Sequence, residues 1–173
     1  MTYKFLTALC VFFLLPIFVL TGCGEQQQNH KFAESADLTA DFSSDFTARY
    51  KDMELKGHIS SSRQKMINVQ ITSPSSLSGL EFGYKSSEMH IKRDDMICSA
   101  DEAYIPQGSF PSIIKEVFSG IADGRAVQKK EKKEAGTYEL KTSQGNASIT
   151  ADSQGRPQKI IFDGCELEVE FTH

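Results

Sequence analysis

The sequence predicts a mainly β domain of the α+β class, a curved antiparallel meander sheet of roughly eight to ten strands with one inserted helix. Three observations predict it. Apolar and polar residues alternate along successive short segments, turn signals separate these segments at hairpin spacing, and one stretch has apolar residues at helical spacing. Strands and helices do not alternate along the chain, so a parallel sheet is not expected.

The first half of the predicted sheet comes from four short apolar sets. Each set alternates with polar residues, so each strand has one face toward a core and one toward water. The second set ends at Ser73-Pro74 because proline lacks a main-chain donor. The inward positions are Phe46, Ala48 and Tyr50; Ile67, Val69 and Ile71; Leu80, Phe82 and Tyr84; and Met89 and Ile91.

The second half repeats this pattern after the helix. Gln144-Gly145-Asn146, Ser153 to Pro157 and Asp163-Gly164 are turn signals between the apolar sets. Their short spacing is typical of hairpins, so these strands continue the meander. The inward positions are Tyr138 and Leu140; Ala147, Ile149 and Ala151; Ile160 and Phe162; and Leu167, Val169 and Phe171.

One helix is predicted from Ser112 to about Ala122. Pro111 suits its first turn, and Gly120 or Gly124 can end it. Its apolar stripe needs a partner surface, so we expect the helix to lie across the concave face of the sheet or plug its mouth. The stripe consists of Ile113, Ile114, Val117, Phe118 and Ile121.

An export signal precedes the domain. Phe5 to Leu20 carries no charge, and at about 1.5 Å per residue it would span roughly 24 Å, less than the ~30 Å of a bilayer core. The Leu20-Thr21-Gly22-Cys23 motif that follows resembles the lipobox of bacterial lipoproteins. An ordinary secreted protein with a free cysteine near its cleavage site is the alternative.

The lipobox resemblance implies a lipid-anchored protein. Residues 1–22 would be a signal peptide, and Cys23 would carry a diacylglyceryl group with acyl chains such as palmitate. Two acyl chains hold a protein stably on a membrane, so the resemblance implies anchoring to the bacterial cell membrane on its extracytoplasmic side. Residues 23–44 then form the lipidated cysteine and a flexible tether, and 45–173 form the folded domain.

Charge and cysteine content limit the partners and the chemistry of the domain. The net charge of −4 disfavours a nucleic-acid partner. Cys98 and Cys165 remain in the domain, and outside the cytoplasm they could form a disulfide. Two buried free thiols are the alternative, since the pattern does not show whether their Cα atoms lie within bonding range.

The domain also resembles the LolA/LolB superfamily of lipoprotein carriers. Phe46-Thr47-Ala48-Arg49-Tyr50 leads through Lys56-Gly57 to the segment 67–74 with its proline stop, and then to Leu77-Ser78-Gly79-Leu80-Glu81-Phe82. This order is similar to the family's opening hairpin and third strand. The resemblance covers about residues 46 to 171 and implies an unclosed half-barrel that holds lipid acyl chains against a helical lid.

The resemblance therefore implies a hydrophobic ligand, such as an acyl chain, between sheet and helix. The inward aromatic and aliphatic residues would line its site, although the same set could equally form a packed core. The predicted ligand-binding residues are Phe82, Tyr84, Met89, Ile91, Val117, Phe118, Ile121, Phe162 and Phe171.

No motif predicts catalysis, a metal or a cofactor. The four histidines, at positions 30, 58, 90 and 173, do not form a recognisable pair, and His-Glu-x-x-His, Cys-x-x-Cys and Gly-x-Ser-x-Gly motifs are missing. The charged run from Lys129 to Glu134 is either a solvated loop or a contact for anionic headgroups. We therefore expect a non-enzymatic lipoprotein that binds a hydrophobic ligand, or alternatively an envelope protein-protein interaction module with a filled core.

Overall fold

The described residues form one open antiparallel sheet of eleven strands with one α-helix. This computed structural model describes residues 37–85, 87–129 and 136–173. The predicted fold class is confirmed, and the eleven strands exceed the eight to ten expected. The strands are β1 Phe42–Tyr50, β2 Met53–Ser61, β3 Ile67–Ser73, β4 Glu81–Lys85, β5 Glu88–Arg93, β6 Met96–Asp101, β7 Val127–Gln128, β8 Gly136–Lys141, β9 Asn146–Ala151, β10 Pro157–Phe162 and β11 Leu167–Thr172.

The chain runs from the middle of the sheet to one edge, crosses to the other edge and returns. The strand order is β6-β5-β4-β3-β2-β1-β11-β10-β9-β8-β7, and every pair of neighbours is antiparallel. A short 3-10 helix, Glu102–Tyr104, and helix α1, Phe110–Ala122, connect β6 to β7. Because β6 and β7 are opposite edges, the connection that contains α1 has to cross the sheet.

Alternation along β1 separates an inner apolar face from an outer polar face. Its residues are alternately buried and exposed from Phe42 to Tyr50. In the register, Phe46 lies opposite Gly57 of β2 and Phe171 of β11. Gly57 is required here because an added Cβ would come within 2.0 Å of the Gln70 carbonyl oxygen. The backbones of β2 and β3 can therefore approach closely at this position.

Helix α1 lies on this inner face, as its apolar stripe predicts. It begins at Phe110, two residues before the predicted start, with Pro111 in its first turn. It ends at Ala122 before Gly124, whose φ of +65° suits glycine. Gly120 is buried inside the helix, where an added Cβ would come within 2.6 Å of Leu140 in β8.

Aromatic contacts join the helix to the centre of the sheet. The Phe118 ring lies 5.6 Å from the Phe42 ring and 6.2 Å from the Phe171 ring, measured between centroids. The Phe110 ring lies 5.8 Å from the Phe46 ring. These offset and edge-on arrangements add to the stabilisation from burial alone. The core is therefore concentrated where β1, β11 and α1 meet.

The folded domain begins earlier than the predicted boundary between residues 44 and 45. β1 starts at Phe42, and both Ala40 and Phe42 belong to the buried core. The Thr39 N–H also donates to the Gly155 carbonyl at 2.9 Å. The alternation of buried and exposed positions continues upstream of Phe46, with Phe42 and the polar Ser44 both buried, so residues 37–44 are not tether. Residues 1–36, which include the predicted signal peptide and Cys23, lie outside the described residues.

Ser35–His173 is a compact unit. It contains every described strand, helix α1 and the whole described core. A unit with a complete hydrophobic core of its own is able to fold alone.

Alternation did not predict three strands: the central strand β2, in which two of the buried positions are Gly57 and Ser61 rather than large apolar residues, and the edge strands β6 and β7. β6 pairs with β5 from Met96 to Asp101, but its residues are mostly exposed and do not alternate. β7 has only two residues. Strands at a sheet edge bury little side-chain surface, so they leave no periodic signal in the sequence. None of the described helices combines the length and apolar character needed to cross a bilayer.

Candidate functional site

An apolar cavity of about 230 Å³ lies between the first turn of α1 and the inner face of the sheet. Its wall combines strand residues from β1 to β4, the loop between β3 and β4, and the start of the helix. Aliphatic and aromatic carbons form most of this wall, and no lining side chain is charged. The lining residues are Tyr50, Met53, Leu55, Ile71, Leu77, Leu80, Phe82, Ser109, Phe110 and Pro111.

The loop between β3 and β4 closes one side of the cavity. Its residues are held by main-chain hydrogen bonds: the Ile71 N–H donates to the Leu80 carbonyl at 2.8 Å, and the Gly79 N–H donates to the Ile71 carbonyl at 2.9 Å. Gly79 has a φ of +82°, which lets the loop turn back over the strand. Leu77 and Leu80 are thereby placed, partly buried, against the cavity.

The start of the helix closes the opposite side and is fixed by polar contacts from two parts of the sheet. The Tyr50 hydroxyl at the end of β1 donates to the Gly108 carbonyl. The Gly108 N–H donates to Gln144 Oε1 in the β8–β9 turn, and Gln144 Nε2 donates to the Ser112 hydroxyl at 2.8 Å. The helix start is thus bonded to both halves of the sheet, which gives the cavity a defined shape.

Ser109 is the N-cap residue of α1, but its side chain makes no capping hydrogen bond. Its hydroxyl oxygen is buried and has no hydrogen-bond partner among the described residues. The first turn of the helix also contains no acidic side chain. Ser109 and Tyr50 are the two lining residues with a polar side chain, and the Tyr50 hydroxyl is already bonded to Gly108.

Of the predicted ligand-binding residues, one lines the cavity, one lies beside it, and the others are buried in the core. Phe82 lines the cavity, and Ile91 lies next to it across the β4–β5 pair, partly buried. The other predicted residues belong to the buried core, because the helix packs directly on the sheet where the prediction placed a ligand. These core residues are Tyr84, Met89, Val117, Phe118, Ile121, Phe162 and Phe171.

Several cavity residues were not predicted as ligand-binding. Tyr50 and Ile71 were predicted only as inward strand positions, Leu55 was not assigned to a strand, and Leu77 belongs to a loop. Periodicity identifies the inner face but not the part of it that the helix leaves uncovered. The one available signal was Leu77, an apolar residue in the segment from Pro74 to Gly79, where a turn is expected.

The Cys98–Cys165 disulfide is not formed, and both thiols are free. Cys98 lies on β6 and is exposed, whereas Cys165 precedes β11 and is partly buried. The strand order places five strands between β6 and β11. A disulfide needs Cα atoms within about 4.4–6.8 Å, and one strand interval is already about 4.8 Å. The alternative of two buried thiols is also wrong, since Cys98 is exposed.

Sequence patterns missed a Ser-His-Asp hydrogen-bonded chain on the outer face. His58 Nε2 lies 2.9 Å from the Ser43 hydroxyl, and His58 Nδ1 lies 2.8 Å from Asp45 Oδ1. The residues meet because Asp45 is opposite His58 in the β1–β2 register. No sequence motif indicates this group, because its residues come together only through the pairing of β1 with β2. The group is widely exposed, with Asp45 78% and His58 45% accessible to solvent, and it lies far from the apolar lining.

The outer face of the central strands carries a cluster of ion pairs. Glu168 accepts hydrogen bonds from Lys159 and, at 2.7 Å, from Arg49, and Lys159 also donates to Glu170 at 3.1 Å. The Lys159 ammonium, followed by the Arg49 guanidinium, holds the pKa of Glu168 below its ordinary value. Exposed pairs of this kind contribute little to stability. They keep this face of the sheet polar.

The charged run that begins at Lys129 is described only at its first residue. The Lys129 ammonium pairs with the Glu139 carboxylate of β8, and the Lys129 N–H donates to the Thr137 carbonyl at 2.7 Å. Residues 130–134 lie outside the described residues. The predicted contact of this run with headgroups or a protein stays a prediction.

No protein-family model and no curated protein sequence matches the chain. Among solved structures, it is similar to an uncharacterized conserved protein from Thermus thermophilus, with 12% identity, a TM-score of 0.46 and coverage of 75% of this chain and 74% of that one. It is also similar to a LolA superfamily protein from Nitrosomonas europaea, with 11% identity, a TM-score of 0.43 and coverage of 82% and 88%, respectively. The function proposed below rests on the sequence and geometry of this chain.

Proposed function

We propose that this protein is a membrane-anchored, extracytoplasmic lipoprotein that binds a hydrophobic ligand between its sheet and its helix, without catalysing a reaction. The observation that carries the ligand part is the uncharged cavity beside α1. The motif Leu20-Thr21-Gly22-Cys23 supports the anchor.

The chemistry of the cavity wall favours an apolar ligand. Tyr50 and Phe110 offer ring faces, and Leu77, Leu80 and Phe82 offer aliphatic and aromatic surface that is only partly buried. Covering such surface contributes about 25 cal/mol for each Å² removed from water, or about 0.8 kcal/mol for each ligand methylene buried. An alkyl chain therefore gains affinity with each carbon that enters.

The size of the cavity limits how much of a ligand it accepts. Its volume of about 230 Å³ is below the ~300–1,000 Å³ typical of sites that enclose a whole drug-sized ligand. Since a methylene is nearly as large as a water molecule, and water occupies about 30 Å³ in the liquid, this space suits a single chain of about eight carbons. One chain or chain end fits, and a pair of acyl chains does not.

Native mass spectrometry of the Ser35–His173 unit tests the ligand proposal. We expect a co-purifying mass of a single-chain amphiphile that organic extraction removes. Leu77→Trp should reduce the retained fraction at least fivefold, because the larger ring occupies the cavity from its partly buried wall. Ile161→Trp is the matched control, since Ile161 is 43% exposed and does not line the cavity.

Two results would contradict the ligand proposal. One is a folded unit that shows only its polypeptide mass and gains no adduct when incubated with decanol. The other is equal retention by Leu77→Trp and Ile161→Trp. Circular dichroism and a thermal unfolding curve of each variant establish that the sheet is intact before retention is compared.

The anchor is tested by cell fractionation of the full chain. We expect the unchanged chain in the membrane fraction, released from it by Cys23→Ser, because the substitution removes the thiol that would carry the acyl chains. Cys98→Ser is the matched control, since Cys98 is an exposed thiol of the folded domain. Membrane retention of Cys23→Ser would contradict a lipid anchor at this residue.

The exposed β6 edge supports the second candidate, an envelope protein-protein interaction module. Met96 and Ile97 are 70% and 68% exposed, and β6 has no partner strand on its outer side among the described residues. Such an edge can accept a strand of another protein. If this is the function, Ile97→Lys should abolish capture of a specific partner that Ile161→Lys still captures; equal capture by both variants would exclude the edge.

A further inference from the structure

We propose that the cavity ligand is a single-chain fatty acid whose carboxylate binds at the N-terminus of α1, on the Ser109 hydroxyl, while its alkyl chain lies in the cavity. This inference rests on the proposed function and adds the chemical class of the head group. It combines two independent features of the site: an uncharged cavity and an unsatisfied polar end.

The unsatisfied polar end is the first feature. The Ser109 hydroxyl oxygen is buried without a hydrogen-bond partner among the described residues, although Ser109 occupies the N-cap position. Serine at this position ordinarily bonds to the main chain of the first turn. A buried polar group without a partner is unfavourable, so a ligand atom that accepts the Ser109 hydrogen would stabilise the site.

The helix end supplies further donors and a favourable field. The Ser109 N–H already donates to the Pro106 carbonyl, and Pro111 has no N–H. The N–H groups of Phe110 and Ser112 are in the first turn and have no acceptor within the helix; Phe110 lines the cavity, whereas Ser112 does not. No acidic side chain in that turn offsets the positive end of the helix dipole. Groups of this kind bind anions.

The arrangement of the two features selects an amphiphile. Ser109, Phe110 and Pro111 form one wall of the cavity, and the opposite wall consists of Leu77, Leu80 and other apolar residues. A ligand whose anion is at the helix end therefore has its chain directed along uncharged surface. Because the space accommodates about eight carbons, a medium-chain fatty acid fits better than a two-chain phospholipid.

Calorimetric titration of the Ser35–His173 unit with decanoic acid and 1-decanol, each below its solubility limit, tests the head-group assignment. We expect decanoic acid to bind at least tenfold more tightly than 1-decanol. Ser109→Ala should weaken decanoic acid binding about tenfold, as for loss of one hydrogen bond to a charged group, and leave 1-decanol binding within twofold. Ser78→Ala, at an exposed position that does not line the cavity, should bind both probes as the unchanged unit does.

The unfolding temperature distinguishes a ligand-binding role of Ser109 from a purely structural one. Since the Ser109 side chain makes no cap hydrogen bond and its buried hydroxyl has no partner among the described residues, Ser109→Ala without ligand should unfold at the same temperature as the unchanged unit or at a higher one. With saturating decanoic acid, the unchanged unit should gain more thermal stability than Ser109→Ala does.

The outcomes separate the head-group inference from the function on which it rests. If 1-decanol binds as tightly as decanoic acid, or if Ser109→Ala weakens both equally, the carboxylate assignment is overturned while the hydrophobic site stands. If neither probe binds and Leu77→Trp changes nothing, both the proposed function and this inference fail.

Discussion

The two cysteines of the folded domain differ in solvent exposure. Cys98 is exposed on the edge strand β6, whereas Cys165 is partly buried before β11. Burial raises the pKa of the Cys165 thiol, and the nearby Lys51 ammonium opposes this effect only in part. Because the thiolate is the reactive form, a raised pKa lowers reactivity at neutral pH.

We therefore predict that N-ethylmaleimide at pH 7.5 modifies Cys98 at least tenfold faster than Cys165 in the folded Ser35–His173 unit. The rate at Cys165 should continue to rise as the pH increases past 9.0, the ordinary pKa of a cysteine thiol. The reason is that the raised pKa moves deprotonation of Cys165 to higher pH. Peptide mass spectrometry of timed samples measures both rates. The rates should become similar in guanidinium chloride; similar rates in the native unit would contradict the structure.

The Ser43-His58-Asp45 chain allows the non-enzymatic proposal to be tested directly. Its bonds have the order of a nucleophile, a base and an orienting acid. However, it lies on an exposed strand face, and its residues take part in the β1–β2 ladder. A catalytic site of this type also needs preorganised donors for an oxyanion, each of which contributes about 10²–10³ in rate.

We predict that Ser43→Ala leaves the hydrolysis of p-nitrophenyl acetate by the unit within twofold of the unchanged rate. Release of p-nitrophenol, followed by absorbance, measures it. Ser60→Ala is a matched control, because Ser60 lies opposite Ser43 on the same pair of strands. A tenfold loss confined to Ser43→Ala would show that the chain is catalytic.

At the scale of the elements, the β1–β2–β3 packing depends on the missing side chain at position 57. An alanine Cβ there would meet the Gln70 carbonyl at 2.0 Å and the Phe46 ring at 3.0 Å, and the first of these is rigid backbone. The strands would have to separate where the register is already irregular, between Lys56 and Gly57.

We predict that Gly57→Ala lowers the free energy of unfolding by about 1–3 kcal/mol, the range found for overpacked cores. Gly83→Ala is the control, since nothing lies within 4 Å of its added Cβ, and it should change stability by less than about 0.5 kcal/mol. Urea unfolding at equilibrium gives both values. Equal midpoints for the two variants would contradict the packing described here.

At the scale of the whole molecule, α1 belongs to the core rather than to a separable lid. Phe118 and Val117 are completely buried, and Phe118 stacks on Phe42 of the first strand. The helix also connects the two edges of the sheet. Phe42 in the first strand and Phe171 in the last strand therefore depend on the helix for their burial.

We predict that Phe118→Ala lowers the free energy of unfolding by about 3–5 kcal/mol, a large part of the ~5–15 kcal/mol that stabilises a typical domain. Tyr104→Ala, at a position 83% exposed, should cost less than about 0.5 kcal/mol. Loss of ligand retention without loss of stability in Phe118→Ala would show instead that the helix acts as a lid.

The fold was predictable where side chains pack with a regular period. Alternation located the inward residues of β1, β3, β4 and β5 and of β8 to β11, and helical spacing located α1. Periodicity of apolar residues failed at β6 and β7, where edge positions bury little, and at β2, where Gly57 and Ser61 occupy buried positions without a large apolar side chain. It also failed at the start of β1, because Ala40 and Phe42 are too few apolar residues to show that the alternation begins before Phe46.

The sequence by itself determined which residues face inward, the meander of antiparallel strands and the single amphipathic helix, because these follow from local patterns of polarity. Only the tertiary structure decided that Phe118 and Phe171 are core, that Leu77 and Ser109 line a cavity, and that Cys98 and Cys165 lie apart. These properties depend on how closely α1 approaches each part of the sheet. Contacts between residues distant in sequence set that approach, and no local period records them.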